Sequence, residues 1–334
     1  MLMSIALILV GFFLLMWSAD LLVDNASALA SRLGISTFLI GVIIVGFGTS
    51  APEMFVSAVA ALENKGNLAL GNALGSNITN IGLVLGSAAL VKSLPVTKTT
   101  ARIDIPIVIA SGIIAIALVS DGLLSRFDGF LLLILLAAYL FWTARFSTGT
   151  RPDIESPLDG AEPTDPHDLD LSAVKHPTAK STTTAFFFTV GSIILLMVAS
   201  RMLVTGAISI AQMLGVGELL IGLTIVAIGT SLPELAAAIA AARKGVHDMI
   251  IGNIIGSNVF NTLGVLGLTG ALRATEIDVS ALWRDFPIML AFTILMFIFA
   301  LTKGAFSRRE GALMLIGYFA YLIYLIGSTL AASG

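Results

Sequence analysis

Residues 46–54 read GFGTSAPEM, and residues 227–235 read AIGTSLPEL. Both stretches lie within long apolar runs, yet each holds Thr, Ser, Pro and a carboxylate. A charged side chain at the centre of a bilayer is costly, and a proline inside a helix removes one backbone hydrogen bond. Such features are tolerated at membrane depth only where they line a cavity or are buried in protein.

The two stretches belong to an internal repeat. The shift that places GTSAPE (48–53) on GTSLPE (229–234) also places GNALGSNITN (71–80) on GNIIGSNVFN (252–261), with no gap between the two blocks. Over residues 41–86, 19 of 46 positions are identical to their shifted partners. The chain is therefore built from two related halves, and we call residues related by this shift repeat mates.

The composition indicates a polytopic membrane protein. Of 334 residues, 57% are hydrophobic and 12% are charged, and the mean hydropathy is +0.99. A soluble domain carries about 25% charged residues. Apolar runs of about 20 residues predict membrane spans, which we place near 2–23, 37–61, 67–91, 103–120, 127–146, 184–212, 217–242, 248–271, 284–302 and 310–332.

Ten spans in two related halves predict an inverted topology. Because five is an odd number, equivalent helices enter the membrane from opposite sides. We therefore predict an all-α membrane protein of ten transmembrane helices in two inverted five-helix repeats, with a binding site near the midplane. The repeats occupy residues 1–146 and 183–334, and their repeated motifs occupy 41–86 and 222–267. A duplication kept only for folding is the alternative, but it does not explain polar residues that recur in mid-membrane.

Residues 147–182 form an acidic, proline-rich linker between the halves. Such a segment has little apolar surface to bury, so we expect a solvated tether. A weak Ca²⁺ sensor is the alternative, although the spacing fits no EF-hand loop. With the N-terminus outside, the predicted cytoplasmic loops hold 13 Lys and Arg residues and the opposite loops hold 4. This asymmetry predicts that both termini lie outside and that the linker is cytoplasmic.

Each repeat offers hard oxygen ligands. In a helix, Thr49 and Ser50 share a face with Glu53, and Pro52 would release backbone carbonyls near residues 46–48. Asn72, the first of three polar residues at intervals of four, adds amide oxygen on the next span. Such ligands suit Na⁺, Ca²⁺ or Mg²⁺ rather than Zn²⁺ or Cu²⁺. One Ca²⁺, two Na⁺ or two protons would neutralise Glu53 and Glu234.

Less specific interpretations remain for these residues. The prolines could be simple kinks, the two glutamates could be structural, and Asn72 and Asn253 could be interhelical hydrogen-bonding residues. Asp20 and Arg201 are repeat mates, and an ion pair between them is an alternative to a role at span ends.

At these motifs the sequence resembles the calcium/cation antiporter superfamily, specifically its sodium/calcium exchanger branch of prokaryotic type. The resemblance covers both halves. It implies Na⁺/Ca²⁺ exchange by alternating access, in which the first and sixth spans slide, and function as a monomer in a cell membrane. It also implies a set of twelve ion-binding residues: Glu53, Glu234, Thr49, Thr230, Ser50, Ser231, Ser76, Ser257, Asn80, Asn261, Gly46 and Ala227.

One position departs from that family. Many exchangers have Asp at one of the two positions where this chain has Asn80 and Asn261, which leaves stoichiometry and proton sensitivity open. A Ca²⁺/H⁺ or other cation/H⁺ antiporter is therefore the alternative function, and a channel is a further one. We expect no enzyme, no cofactor and no nucleic-acid partner. The chain has no cysteine, and no His lies in mid-span to activate a serine nucleophile.

Overall fold

The computed structural model describes residues 1–147, 181–215, 225, 227–279 and 281–333. Within those residues, nine helices are long and apolar enough to cross a membrane. Residues 148–180 of the predicted linker, and residues 217–224 and 226 of the predicted span 217–242, lie outside the described residues, so their predicted character stays a prediction.

The ten helices are numbered in chain order. The first half contains α1 (Leu2–Leu33), α2 (Thr37–Leu62), α3 (Gly66–Val91), α4 (Thr100–Leu118) and α5 (Arg126–Ser147). The second half contains α6 (Thr182–Met213), α7 (described as Ala227–Thr230 and Leu232–Lys244), α8 (His247–Leu272), α9 (Ala281–Lys303) and α10 (Arg308–Ser333). The all-α membrane fold predicted from the sequence is confirmed, and the described helix ends lie close to the predicted ones except at the end of α1.

Two short antiparallel ribbons connect the halves outside the helices. β1 (Leu94–Pro95) pairs with β4 (Ala305–Phe306), and β2 (Leu123–Leu124) pairs with β3 (Thr275–Glu276). Each ribbon joins a loop of one half to a loop of the other. We call the side with Met1 and the β2–β3 ribbon the terminal face, and the side with the β1–β4 ribbon the linker face.

The helix ends preserve the sequence repeat. Gly34 and Gly215 follow α1 and α6 with φ of 65° and 78°, and Asn64 and Gly245 follow α2 and α7 with φ of 64° and 74°. The members of each pair are repeat mates. Gly and Asn are the residues that most readily adopt this left-handed conformation. The register read from the sequence therefore holds at the ends of four helices.

Helix α1 runs to Leu33, well beyond the predicted end near residue 23. Asp20 and Asp24 lie near the predicted end, but the helix continues through both. Lys244 Nζ lies 2.7 Å from Asp24 Oδ1 and 3.8 Å from Asp20 Oδ1. Both acids of α1 are therefore paired with a base at the end of α7. The chain continues as helix beyond them, and most of residues 25–30 are buried. Asp20 faces Lys244, so the alternative ion pair with Arg201 is not the one formed.

The prolines act differently in the two repeats. Helix α2 continues through Pro52 after a π-helical turn at Gly41–Gly46, so the predicted disruption does not break this helix. Proline's fixed φ is compatible with helix, and only the hydrogen bond and local fit are lost. In α7 the helix is interrupted at Ser231, just before Pro233.

Helix α8 lies at the centre of the bundle. Every residue in the most apolar stretch of α8 is buried, whereas 28% and 33% of the residues are buried in the corresponding stretches of α1 and α6. A Cβ added to Gly256 would lie 2.6 Å from the Val42 carbonyl oxygen. The backbones of α8 and α2 are therefore in direct contact. Gly252 and Gly256 lie four residues apart on α8, a spacing of small residues that lets helices approach closely. This contact joins the two repeats beside the polar motifs.

Candidate functional site

Two carboxylates lie at the centre of the bundle, one from each repeat. Glu53 in α2 and Glu234 in α7 are each 2% exposed. Their side chains are close enough for the two negative charges to repel each other. Within the described residues, both carboxylate oxygens of Glu53 and Oε2 of Glu234 have no hydrogen-bond partner. The structure thus brings the two predicted glutamates together with free oxygens.

Hydroxyl groups flank these carboxylates on the same helices. Thr49 and Ser50 are fully buried, and Ser231 is nearly so, whereas Thr230 is partly buried. The Thr49 hydroxyl also donates to the Val45 carbonyl over 3.0 Å. Among the residues that can be described, the Ser50 and Ser231 hydroxyls have no partner. Their oxygens therefore remain available to a third group.

The helices α3 and α8 contribute amides and further hydroxyls. Asn80 and Asn261 are each 1% exposed, and neither end of either amide is hydrogen-bonded to another described residue. Both lie in π-helical turns, Asn80–Leu85 and Phe260–Val265, and such turns are frequent at functional sites. Ser76 and Ser257, one turn earlier on the same helices, are also buried.

Gly46 in α2 and Ala227 in α7 are the two predicted ligands without a polar side chain, so only their backbone carbonyls could bind a cation. Gly46 ends the π-helical turn of α2, and its carbonyl accepts a long hydrogen bond of 3.4 Å from the Ser257 hydroxyl. This bond crosses from one repeat to the other. Ala227 begins the short helix Ala227–Thr230.

Two of the asparagines connect helices rather than standing free. The Asn72 amide donates to the Ser57 hydroxyl over 3.0 Å and to the Glu53 carbonyl over 3.3 Å. Asn253, its repeat mate, accepts from the Thr49 hydroxyl over 3.4 Å. These contacts favour the interhelical interpretation for Asn72 and Asn253, in contrast to Asn80 and Asn261.

Sequence reasoning missed two polar contacts next to the site. Ser200 in α6 donates to the Gly229 carbonyl over 2.9 Å. This is the carbonyl four residues before Pro233, which the proline leaves without its helical hydrogen-bond donor. The repeat mate of Ser200 is Ala19, so the repeat gave no signal. Asn77 donates to Thr262 of the other repeat over 2.8 Å. Asn77 recurs as Asn258 in the repeated GSN triplet, and that recurrence was the available signal.

The chemistry of this cluster is that of a hard cation site. Carboxylate, hydroxyl and amide oxygens are the ligands preferred by Na⁺ and Ca²⁺. In the described part of the chain, no group of three or more His, Cys, Asp or Glu residues could hold a metal ion. The charge at the cluster therefore comes from two glutamates, and the remaining oxygens are neutral.

Comparison with known proteins identifies the repeat. The family model described as "Sodium/calcium exchanger protein" matches residues 3–145 and 184–327, which correspond to the two halves. The chain is 39% identical to the "Putative antiporter CaxA" of Alkalimonas amylolytica, covering 98% of this chain and 100% of that one. It is also 39% identical to the "Inner membrane protein YrbG" of Escherichia coli, covering 97% of each chain.

Solved structures show the same fold. The sodium-calcium exchanger NCX_Mj, in a structure soaked with Na⁺ and Sr²⁺, superimposes with a TM-score of 0.80 at 29% sequence identity. The match covers 96% of this chain and 98% of that one. The two-repeat, all-helical architecture described above is therefore shared over nearly the whole length.

Proposed function

The chain belongs to the sodium/calcium exchanger protein family, and from that premise we propose that this membrane antiporter exchanges Na⁺ for Ca²⁺ by alternating access. The ions would bind at the midplane among the twelve residues named from the sequence. The observation that carries the proposal is the meeting of Glu53 and Glu234, one from each repeat, with unpartnered oxygens in the buried centre.

Charge balance supports the choice of ions. Two ionised carboxylates carry two negative charges, and an uncompensated charge in a low-dielectric interior is costly. One Ca²⁺ or two Na⁺ would each cancel that charge. Because the neutral ligands suit both ions, the same cluster can hold either cargo in turn. Asn80 and Asn261 add no charge, so any further Na⁺ would make the loaded site positive.

The inverted repeat supports the transport mechanism. Equivalent helices approach the site from opposite sides, so one chain could adopt two arrangements related by a pseudo-two-fold axis in the membrane plane. Transporters of this plan expose a fixed midplane site to each side in turn. The contact between α2 and α8 lies beside the site and joins the repeats, so it would hold the ligands together during the exchange.

We assign the linker face to the cytoplasm and place the chain in the cell membrane. The excess of Lys and Arg in the loops of that face supports the orientation. The relative named as an inner membrane protein supports the location.

Reconstituted vesicles test the choice of counter-ion. Purified protein in liposomes loaded with Na⁺ should take up radiolabelled Ca²⁺ when the external Na⁺ is removed. A pH gradient of equal size, imposed without Na⁺, should produce little uptake. Uptake that follows the pH gradient and ignores Na⁺ would instead identify a Ca²⁺/H⁺ antiporter of the same fold. Passive uptake without any counter-ion would identify a channel.

A further inference from the structure

Helices α1 and α6 form a long pair at the edge of the bundle. They run antiparallel and pack on each other along their length, with Gly11 against Leu203 and Gly206 against Ser4. Polar contacts join this pair to the rest of the bundle. One of them is the ion pair at the linker face, where Lys244 at the end of α7 binds Asp24 and Asp20 of α1.

At two pairs of repeat mates, one residue is acidic and its mate is basic. The repeat mate of Lys244 is Glu63, and the repeat mate of Asp20 is Arg201. The register is fixed by structure as well as by sequence, because Asn64 and Gly245 both adopt positive φ directly after Glu63 and Lys244. The terminal face thus carries an acid on α2 and a base on α6, where the linker face carries a base on α7 and acids on α1.

The charged residues at the linker face form an ion pair between helices, whereas Glu63 and Arg201 at the terminal face do not pair with each other. At the linker face Lys244 Nζ is 2.7 Å from Asp24. At the terminal face Glu63 binds its neighbour Lys65 at 2.8 Å, and both side chains are more than half exposed. Arg201 is exposed, and it forms no ion pair within the described parts of the chain.

The packing of the two helices shows the same difference. Leu22 and Val23 of α1 are fully buried near the linker face. Of their repeat mates in α6, Leu203 is partly buried and Val204 is 8% exposed, and both line a crevice of about 210 Å³ near the terminal face. Leu29 is 1% exposed, whereas its mate Ile210 is partly exposed. The α1–α6 pair is therefore closed against the linker face and looser at the terminal face.

We propose that these two ion pairs are alternating latches: Lys244 with Asp24 and Asp20 holds the linker face closed, and Arg201 with Glu63 holds the terminal face closed in the other of the two arrangements. The proposal rests on the alternating access proposed above. Since each pair joins the α1–α6 unit to a different repeat, forming one would accompany release of the other.

Site-directed labelling tests the latches without measuring transport. The chain has no cysteine, so Val204→Cys and, in a separate variant, Val23→Cys provide single reporters for a membrane-impermeant maleimide. Lys244→Gln should lower the labelling rate of Cys at 204 from the terminal face and raise that of Cys at 23 from the linker face. We expect changes of about fivefold, the size that a partly exposed ion pair can produce.

Arg201→Gln also removes one positive charge, but it weakens the latch at the terminal face. It should therefore raise the labelling rate of Cys at 204 and lower that of Cys at 23. The matched control is Arg243→Gln, an exposed neighbour of Lys244 on the same helix, which should leave both rates unchanged. Exchanging the partners in Asp24→Lys with Lys244→Asp should restore the original labelling, which separates loss of the latch from misfolding.

Unchanged labelling in Lys244→Gln, or shifts in the same direction for Lys244→Gln and Arg201→Gln, would overturn the proposal. Labelling also separates this proposal from the proposed function. If the labelling shifts as expected but Ca²⁺ uptake ignores Na⁺, the latches stand and the choice of counter-ion fails. If uptake follows Na⁺ and the labelling does not shift, the latches fail.

Discussion

Gly256→Ala should inactivate the transporter although Gly256 offers no ligand side chain. The added Cβ would lie 2.6 Å from the Val42 carbonyl oxygen and 2.8 Å from the Val42 Cα. Ordinary contact at this position begins near 3.4 Å, and both obstacles are backbone atoms of α2. The helices α8 and α2 must therefore separate by about 0.8 Å, the difference between 2.6 and 3.4 Å.

That separation acts on the site directly. Ser257 follows Gly256, and its hydroxyl reaches the Gly46 carbonyl across the interface at 3.4 Å. Moving α8 away from α2 lengthens this contact and shifts Asn261, which is on α8, relative to Glu53, which is on α2. A misplacement of about 1 Å can cost about 100-fold in rate, whereas overpacking typically costs about 1–3 kcal/mol of stability. We expect Ca²⁺ uptake to fall by about 100-fold in protein that still folds.

The assay compares Ca²⁺ uptake in proteoliposomes with thermal unfolding in detergent. Gly191→Ala is the matched control, because Gly191 is exposed on α6 and an added Cβ there would meet no described atom within 4 Å. This control should keep full uptake, since Ala is favourable in a helix. Uptake near the wild-type rate in Gly256→Ala would refute the reasoning that backbone contact between the repeats sets the ligand geometry.

Further substitutions test individual contacts. Ser57→Ala removes one partner of the Asn72 amide, so we expect the free energy of unfolding to fall by about 0.5–1.5 kcal/mol while the Na⁺/Ca²⁺ selectivity is retained. A large change of selectivity in binding assays would contradict the interhelical role of Asn72. Asn261→Asp adds a third carboxylate to the centre, so we expect transport to require additional Na⁺. We also expect its voltage dependence to change by up to about 2.3 kcal/mol per 100 mV for one extra charge, and currents identical to wild type would contradict this expectation. Ser200→Ala releases the Gly229 carbonyl; we expect altered ion affinity without loss of folding, and unchanged affinity would show that this carbonyl lies outside the site.

The repeat made much of the architecture predictable. Two copies of a polar motif inside apolar runs indicated the number of halves and their inverted relation. The same motifs pointed to polar residues that the structure buries on α2, α3, α7 and α8. These inferences work because membrane spans have a narrow range of lengths and because buried charges in spans are rare.

The remaining features depend on contacts between distant parts of the chain. The length of α1 cannot be read from its own residues, because Lys244 in the other half of the chain neutralises Asp20 and Asp24. The role of Ser200 could not be inferred, because its repeat mate Ala19 has no hydroxyl. The sequence predicted that Pro52 disrupts its helix, but α2 continues through it. A helix can keep its dihedral angles while losing one backbone hydrogen bond.

The most direct test of the account is Na⁺-driven uptake of radiolabelled Ca²⁺ by Glu53→Gln and by Glu234→Gln in proteoliposomes. Each substitution removes half of the central negative charge, and the interaction lost is twice as large for Ca²⁺ as for Na⁺ because Coulomb energy scales with charge. We predict that both variants lose uptake, while Glu276→Gln, which changes an exposed acid on β3, transports normally. Wild-type uptake by either central variant would contradict the claim that two glutamates, one from each repeat, bind the transported cation.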